Sequence, residues 1–400
     1  MLFVLSFFVA SCLASIEPAV SSNYVEDTWV TKAPMPTARA FFGVAVVKGK
    51  IYAIGSSGGV NEVYDPMSGV WTTQEPMPTP RRSFAIAVFQ NKIYCIGGKA
   101  SDGLTGINEV YNPATDTWET RASLPTPRSQ LSANMVSGKI YVIGGIANLN
   151  TGEISDLNEV YDPATDTWTT AKPIPNPVYA HSSVSFENRI LVISSLLQIY
   201  DPETDVWVSG AAPPHGCHRS GAVVTSGERA LKRIYVIGGE VGFMEATNVN
   251  QIFDPRENTW SIGSAMPTAR QGLGVAAVED LIYAIGGSYP DFSFSNTDSS
   301  QVDGKYKLMT YAEKKPVNFM PQEHCAVNEQ YTPIGYGMPD TSYTSPSSTP
   351  FQEPNLTPTP EPQQSESFPT TLVAATVVTV TVFGFGFLLS LAKKKRLQEP

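Results

Sequence analysis

NEVYDPATDTW, residues 158–168, decides the fold, because the chain repeats it. The copies are NEVYDPMSGVW at 61–71, NEVYNPATDTW at 108–118, QIYDPETDVW at 198–207 and QIFDPRENTW at 251–260. A second phrase alternates with it: GKIYAIGS (49–56), NKIYCIGG (91–98), GKIYVIGG (138–145), KRIYVIGG (232–239) and LIYAIGG (281–287). The intervals between Trp29, Trp71, Trp118, Trp168, Trp207 and Trp260 are 42, 47, 50, 39 and 53 residues. A self-similar period of this size is a repeat architecture whose units carry loops of unequal length.

Each unit holds four short segments with β character. In the third unit they are 131–136, 139–143, 158–161 and 167–170; none has helical periodicity. The first pair is joined by Lys48-Gly49, Gln90-Asn91, Ser137-Gly138 or Glu187-Asn188, where Gly or Asn tolerates the positive φ of a two-residue hairpin. The second pair is joined by Asp-Pro-x-x, the chemistry of a type I turn. A four-stranded meander cannot bury both faces alone, and several packed radially can, so the expected fold is an all-β propeller.

The double glycine after the second strand (Gly97-Gly98, Gly144-Gly145, Gly238-Gly239, Gly286-Gly287), with the later Tyr and Trp, resembles the kelch repeat. The resemblance spans residues 24–333. The WD40 repeat fits less well, since no Trp is followed by Asp and no Gly-His occurs. Six second strands are readable if Leu191–Ser195 counts, and six third strands if Asn328–Pro333 counts. The last unit lacks a Trp strand, and the chain opens with one, EDTWVTKAPMP. The expectation is therefore a six-bladed kelch propeller over 23–333, closed by an N-terminal strand within 24–32 that completes the last blade. The Tyr and Trp side chains read as core wedges between blades.

Outside the ring, residues 1–15 read as a signal peptide, although no Lys or Arg precedes the apolar run, and Val9-Ala10-Ser11-Cys12 also resembles a lipoprotein box. Residues 334–369 form a Pro/Ser/Thr-rich stalk with one glycosylation acceptor, Asn355. Leu372–Ala392 carries no charge, so a single transmembrane helix is expected over 370–392. The basic tail at 393–400 would stay in the cytoplasm and leave the propeller outside the cell. The expected location is a single-pass protein of the cell membrane. A formal net charge of −10 without a basic stripe argues against nucleic acid.

The residues leading into four of the first strands read PTARAFFG, PTPRRSFA, PTPRSQLS and PTARQGLG, setting Arg39, Arg81, Arg128 and Arg270 at matching positions; Val178 and Cys217 stand there in blades four and five. In some kelch proteins an arginine at this place binds acidic residues of a partner, so the resemblance implies that these four face a ligand. The other open reading has them bonding blade carbonyls or neighbouring acids. Blade six carries an aromatic-rich insertion, 288–327, expected to cover the channel mouth or the ring's side. His215, Cys217, His218, His324 and Cys325 fall near these features, and a Cys217–Cys325 disulfide, a metal site and unlinked residues all stay open. Cys95 reads as a small buried hydrophobe.

No HExxH, GxSxG, Walker loop or sialidase box occurs, and no cofactor or metal is implied. The function expected is a monomeric, non-catalytic binding or adhesion module for a protein or glycan ligand. The other class is an extracellular carbohydrate-active enzyme of mutarotase or galactose-oxidase type, which kelch propellers also support.

Overall fold

In the computed structural model the described residues are 24–241, 245–289 and 323–340. They belong to the first of two units of the chain, Met1–Leu356 and Thr357–Pro400. The expected signal peptide at 1–15, the expected glycosylation acceptor Asn355 and the segment at 370–392 lie outside the described residues, as do most of the expected stalk and of the blade-six insertion. Among the described residues no helix is long and apolar enough to cross a membrane.

Six four-stranded antiparallel sheets form the ring. Their innermost strands are Gly43–Val47, Ala85–Phe89, Ser132–Val136, Ser182–Phe186, Gly221–Val224 and Gly274–Val278. Each packs against the next and the sixth against the first, so the circle is complete. The sixth sheet runs Gly274–Val278, Leu281–Ile285, Asn328–Thr332 and then Thr28–Thr31 from the chain's beginning. Trp29 lies opposite Tyr331 in that pairing, with ring centroids 5.1 Å apart. The expected closure is therefore present, and it leaves no unpaired edge where the two ends of the chain meet.

The aromatic residues behave as wedges. The second-strand Ile-Tyr-x-Ile runs are buried, and each core cluster joins residues of two neighbouring blades. Each indole N–H also donates to a carbonyl of the preceding blade: Trp71 to Ala33, Trp118 to Glu75, Trp168 to Ala122, Trp207 to Lys172, Trp260 to Ala211 and Trp29 to Ser264, all at 2.8–2.9 Å. The Asp-Pro turn forms as expected; Asp65 Oδ1 accepts from Met67 N–H at 2.9 Å.

Strand direction divides the ring into two faces. One carries the short hairpin turns. The other carries the lead-ins to the first strands and the connections from second to third strands. In blades two, three, five and six those connections rise as two-stranded ribbons, Lys99–Ala100 with Gly103–Leu104, Ile146–Asn148 with Glu153–Ile154, Glu240–Val241 with Glu245–Ala246, and Ser288–Tyr289 with Glu323–His324. The last pair is formed by the two ends of the insertion. Both ends of the described chain lie on the hairpin face: the Tyr24 and Tyr336 rings meet edge to face with centroids 4.9 Å apart, and Gly335 N–H donates to Glu26 at 2.9 Å. Beyond Thr332 the chain straps across to blade five, where Gly337 N–H bonds Arg229 O and Asp340 N–H bonds Gly227 O.

Candidate functional site

The site is built on the face that carries the ribbons. Each lead-in has three successive positions with different jobs. The first is an anchor (Arg39, Arg81, Arg128, Val178, Cys217, Arg270). The second is a rim residue. The third is a mouth residue in the left-handed region: Phe41, Ser83, Gln130, Ala180, Arg219 and Gly272, with φ between 49° and 61°. These six are linked head to tail. Ser83 N–H donates to Phe41 O, Gln130 to Ser83, Ala180 to Gln130, Arg219 to Ala180, Gly272 to Arg219 and Phe41 to Gly272, at 2.6–2.9 Å. A closed circle of six main-chain hydrogen bonds surrounds the axis. A non-glycine residue at positive φ costs about 1–3 kcal/mol, and here each such residue takes part in two of the six bonds.

Because the circle uses the main chain, what varies around the mouth is its side chains. Arg219 is the charged member. Its Nη1 donates to Glu240 Oε2 at 2.8 Å and to Gln271 Oε1 at 3.1 Å, and its guanidinium lies 5.8 Å from the Phe41 ring. A quarter of its side chain is open to solvent. Gly272 makes room for this arrangement, since a Cβ there would stand 2.6 Å from Phe41 Cε1. On the rim, Arg82 is exposed and paired in a one-residue bridge with Lys99 of its ribbon, and His218 pairs with Glu240 in the same way. The His218 ring lies 5.5 Å from that of Tyr179. Arg82 and His324 are near enough that, after burial, the Arg82 charge is the second cause holding the His324 imidazole below its ordinary range.

Of the two readings open for the four arginines, the structure has the second: they bond blade carbonyls and neighbouring acids and do not line a ligand surface. Arg39, Arg81, Arg128 and Arg270 are 0–2 % exposed, and each forms a buried ion pair with a third-strand glutamate: Glu62, Glu109, Glu159 and Glu329. Each also ties its lead-in to the end of the second strand, as Arg81 does through Cys95 O at 2.6 Å and Gly97 O at 2.9 Å. The glutamates accept in addition from the hydroxyls of Thr37, Thr79, Thr126 and Thr268. Burial pushes the Arg39, Arg128 and Arg270 guanidinium groups down, and the glutamates oppose that shift. The reason for the misplacement is reach: the side chain folds back into its own blade, under the lead-in, instead of out over the mouth.

Blades four and five carry the compensated form of this tie. Where the arginine is replaced by Val178 or Cys217, the glutamate is replaced by Gln198 or Gln251. Gln198 Oε1 accepts from Asn176 N–H at 2.9 Å; Gln251 Oε1 accepts from His215 N–H at 2.9 Å while its Nε2 donates to Cys217 Sγ at 3.3 Å. Cys217 keeps its thiol, which donates to His215 O at 3.2 Å, so of the three open readings the Cys217–Cys325 disulfide is not the one formed. Its sulfur is turned into blade five at the anchor position, whereas Cys325 belongs to blade six, with its N–H on Gly287 O. Burial pushes the Cys217 and Cys95 thiols up to about 12. Among the described residues no three His, Cys, Asp or Glu side chains are grouped to hold a metal ion.

The remaining histidine, His181, is almost wholly buried between blades three and four. Its Nε2 is 2.8 Å from Ser132 Oγ, and burial, then the charge of His218, lowers its pKa to about 3.

Comparison with known proteins agrees with this geometry. The family profile described as the KLHDC2/KLHL20/DRC7 Kelch-repeats domain matches residues 63–195, and the Kelch motif profile matches 232–267. Kelch-like protein 35 of Mus musculus is 40% identical over 55 residues, 14% of this chain. That match covers only 10% of the relative's length. The solved structure of YjhT superposes with a TM-score of 0.58 at 16% identity, covering 65% of this chain and 93% of that one, and so shares the fold. With its repeated Tyr-Asp-Pro and Gly-Gly phrases and a ring of six blades, the chain belongs to the kelch-repeat β-propeller family.

Proposed function

We propose that this protein is a cell-surface binding module whose ribbon-bearing mouth takes a protein or glycan ligand. The observation that carries the reading is Arg219. It projects from the axial circle, is held in one orientation by Glu240, Gln271 and Phe41, and keeps part of its guanidinium in solvent. An arginine fixed in advance loses little freedom on binding, and its planar donor fork suits carboxylates and other acceptor pairs. Exposed Arg82 lies across the axis, in the blade opposite, and offers a second cation. The kelch fold is in keeping with a protein-interaction role. Placement outside the cell rests on the apolar run at 370–392 and the basic tail after it.

The test uses the full chain in detergent against panels of surface proteins and glycans. Arg219→Ala is expected to lower affinity by roughly 30-fold, the scale of a central hot spot. Arg121→Ala, on the outer edge of blade two, should leave binding intact. Equal binding by wild type and Arg219→Ala would remove the mouth assignment. In cells expressing the chain, external protease should remove the propeller and spare an epitope on the tail. A protected propeller would overturn the location.

A further inference from the structure

The six blades are not joined equally. The residue after each mouth position plugs the gap to the preceding blade. In four blades it is apolar: Phe42, Phe84, Leu131 and Leu273, all buried. At the two interfaces of blade four the plugs are His181 and Ser220. The apolar plugs sit against the glycine ends of preceding second strands, so a Cβ on Gly55 would stand 2.5 Å from Phe84 and one on Gly286 2.7 Å from Phe42. Blade four has Ser194-Ser195 where other blades have those glycines.

On the inner strands the polar contacts gather at the interface of blades three and four. Val44 and Val46 pack with Ala276, Ile86 with Ala45, and Ala133 and Met135 with Ala85 and Ala87. Blade four instead meets blade three through Ser132–His181 at 2.8 Å, Asn134 Nδ2 to Ser183 Oγ at 2.6 Å and Ser185 Oγ to Met135 O at 3.0 Å. It meets blade five through Ser182 Oγ to Ser220 O at 2.8 Å, beside Val184 and Phe186, which pack with Ala222 and Val224; each of its two interfaces also holds an apolar cluster. His181 Nδ1 is buried and lacks a hydrogen-bond partner. Blade four also lacks the Arg–Glu tie and the ribbon.

Separating two apolar faces exposes hydrocarbon to water, whereas hydroxyl and amide pairs exchange their bonds for bonds to water at small net cost. We propose that the ring has a built-in opening point: blade four, residues 182–210, parts from its neighbours ahead of every other blade. The motion has a consequence at the mouth. Ala180 is the member of the axial circle that leads into blade four, so the opening breaks the bonds Ala180 N–H to Gln130 O and Arg219 N–H to Ala180 O. Arg219 then loses one of its two main-chain bonds in the circle, keeping the one from Gly272, and mouth geometry becomes coupled to the state of blade four. The opening itself depends on the packing alone, not on what occupies the mouth.

Native-state hydrogen exchange on the full chain in detergent decides it. The amides whose bonds the opening breaks, Ala180 and Arg219, should exchange through an opening roughly tenfold or more populated than that of Ser83 and Gln130, which hold the same place in blades two and three. His181→Leu with Ser220→Leu, giving blade four the plugs of its neighbours, should bring the two pairs level. Equal or greater protection of Ala180 and Arg219 in the wild type would overturn the proposal, and that measurement stands even if the double variant does not fold. A folded double variant with unchanged exchange would overturn it as well.

Discussion

Tyr331 donates its phenolic proton to Asp27 Oδ1 at 2.8 Å, across 304 positions of chain. Asp27 Oδ1 also accepts from Ser264 N–H at 2.7 Å, and Trp29, two residues on, bonds the carbonyl of the same Ser264. The Asp-x-Trp of one blade thus grips both main-chain groups of one residue in the blade before it. Asp116 and Trp118 hold Glu75, Asp166 and Trp168 hold Ala122, and Asp205 and Trp207 hold Lys172. In blade five Asn258 stands for the aspartate, and there the tyrosine has become Phe253, so no hydroxyl is left to serve. Asp27→Ala leaves two donors without an acceptor at the ring's closure and should cost about 1–3 kcal/mol. Asn258→Ala strands one and should cost about half as much. Urea denaturation of the two variants gives the ratio.

The Arg–Glu ties make a swap experiment available within one molecule. Arg128→Val alone buries Glu159 without its partner and should destabilise by about 3–5 kcal/mol. Arg128→Val with Glu159→Gln rebuilds the pairing that blade four uses, Val178 with Gln198, and should recover most of the loss. A double variant as unstable as the single one would show that the tie is specific to blade three.

His181 predicts an acid-sensitive core. Its folded pKa is depressed to about 3 from an ordinary 6.5, so the neutral form is favoured in the fold. The unfolded chain binds a proton first as pH falls, and stability present above 6.5 is lost between 6.5 and about 3. Linkage puts the loss at about 2 kcal/mol by pH 5. His181→Leu should flatten the stability profile between pH 6.5 and 5, leaving the carboxylate-driven loss at lower pH, where Asp166 and Asp205 are held down chiefly by the hydroxyls of Tyr161 and Tyr200. Chemical denaturation across that range measures both.

Cys217 and Cys95 should resist alkylation in the native protein, being buried and pushed up to about 12. After denaturation without reductant both should be labelled. Mass spectrometry that found Cys217 unlabelled at that stage would restore the disulfide.

Much of the ring was legible because its wedges, turns and closure each need a particular residue type: Tyr and Trp to fill the gaps between blades, Asp-Pro for the turn, a displaced Trp strand to finish the last sheet. The fate of the arginines was legible too, though in a place easily overlooked. Arg and Glu vanish together in blades four and five, and a paired loss of opposite charges is the mark of a buried ion pair. The circle at the mouth was beyond reach. Its members are Phe, Ser, Gln, Ala, Arg and Gly, and a main-chain bond places no demand on the side chain. Arg219 was hidden for the same reason, since only the fold shows that it, and not its neighbour by two at Cys217, stands on the axis.

The strap from Ile334 to Asp340 sets how the ring bears load. Tension arriving from the C-terminal side meets the bonds to Gly227 and Arg229 of blade five before it reaches Asn328–Thr332. That strand is itself held on both sides, by Leu281–Ile285 and by Thr28–Thr31. A pull that would peel a free terminal ribbon one bond at a time is spread across two blades, and the buckle formed by Tyr24 and Tyr336 must slip before the circle can unwind.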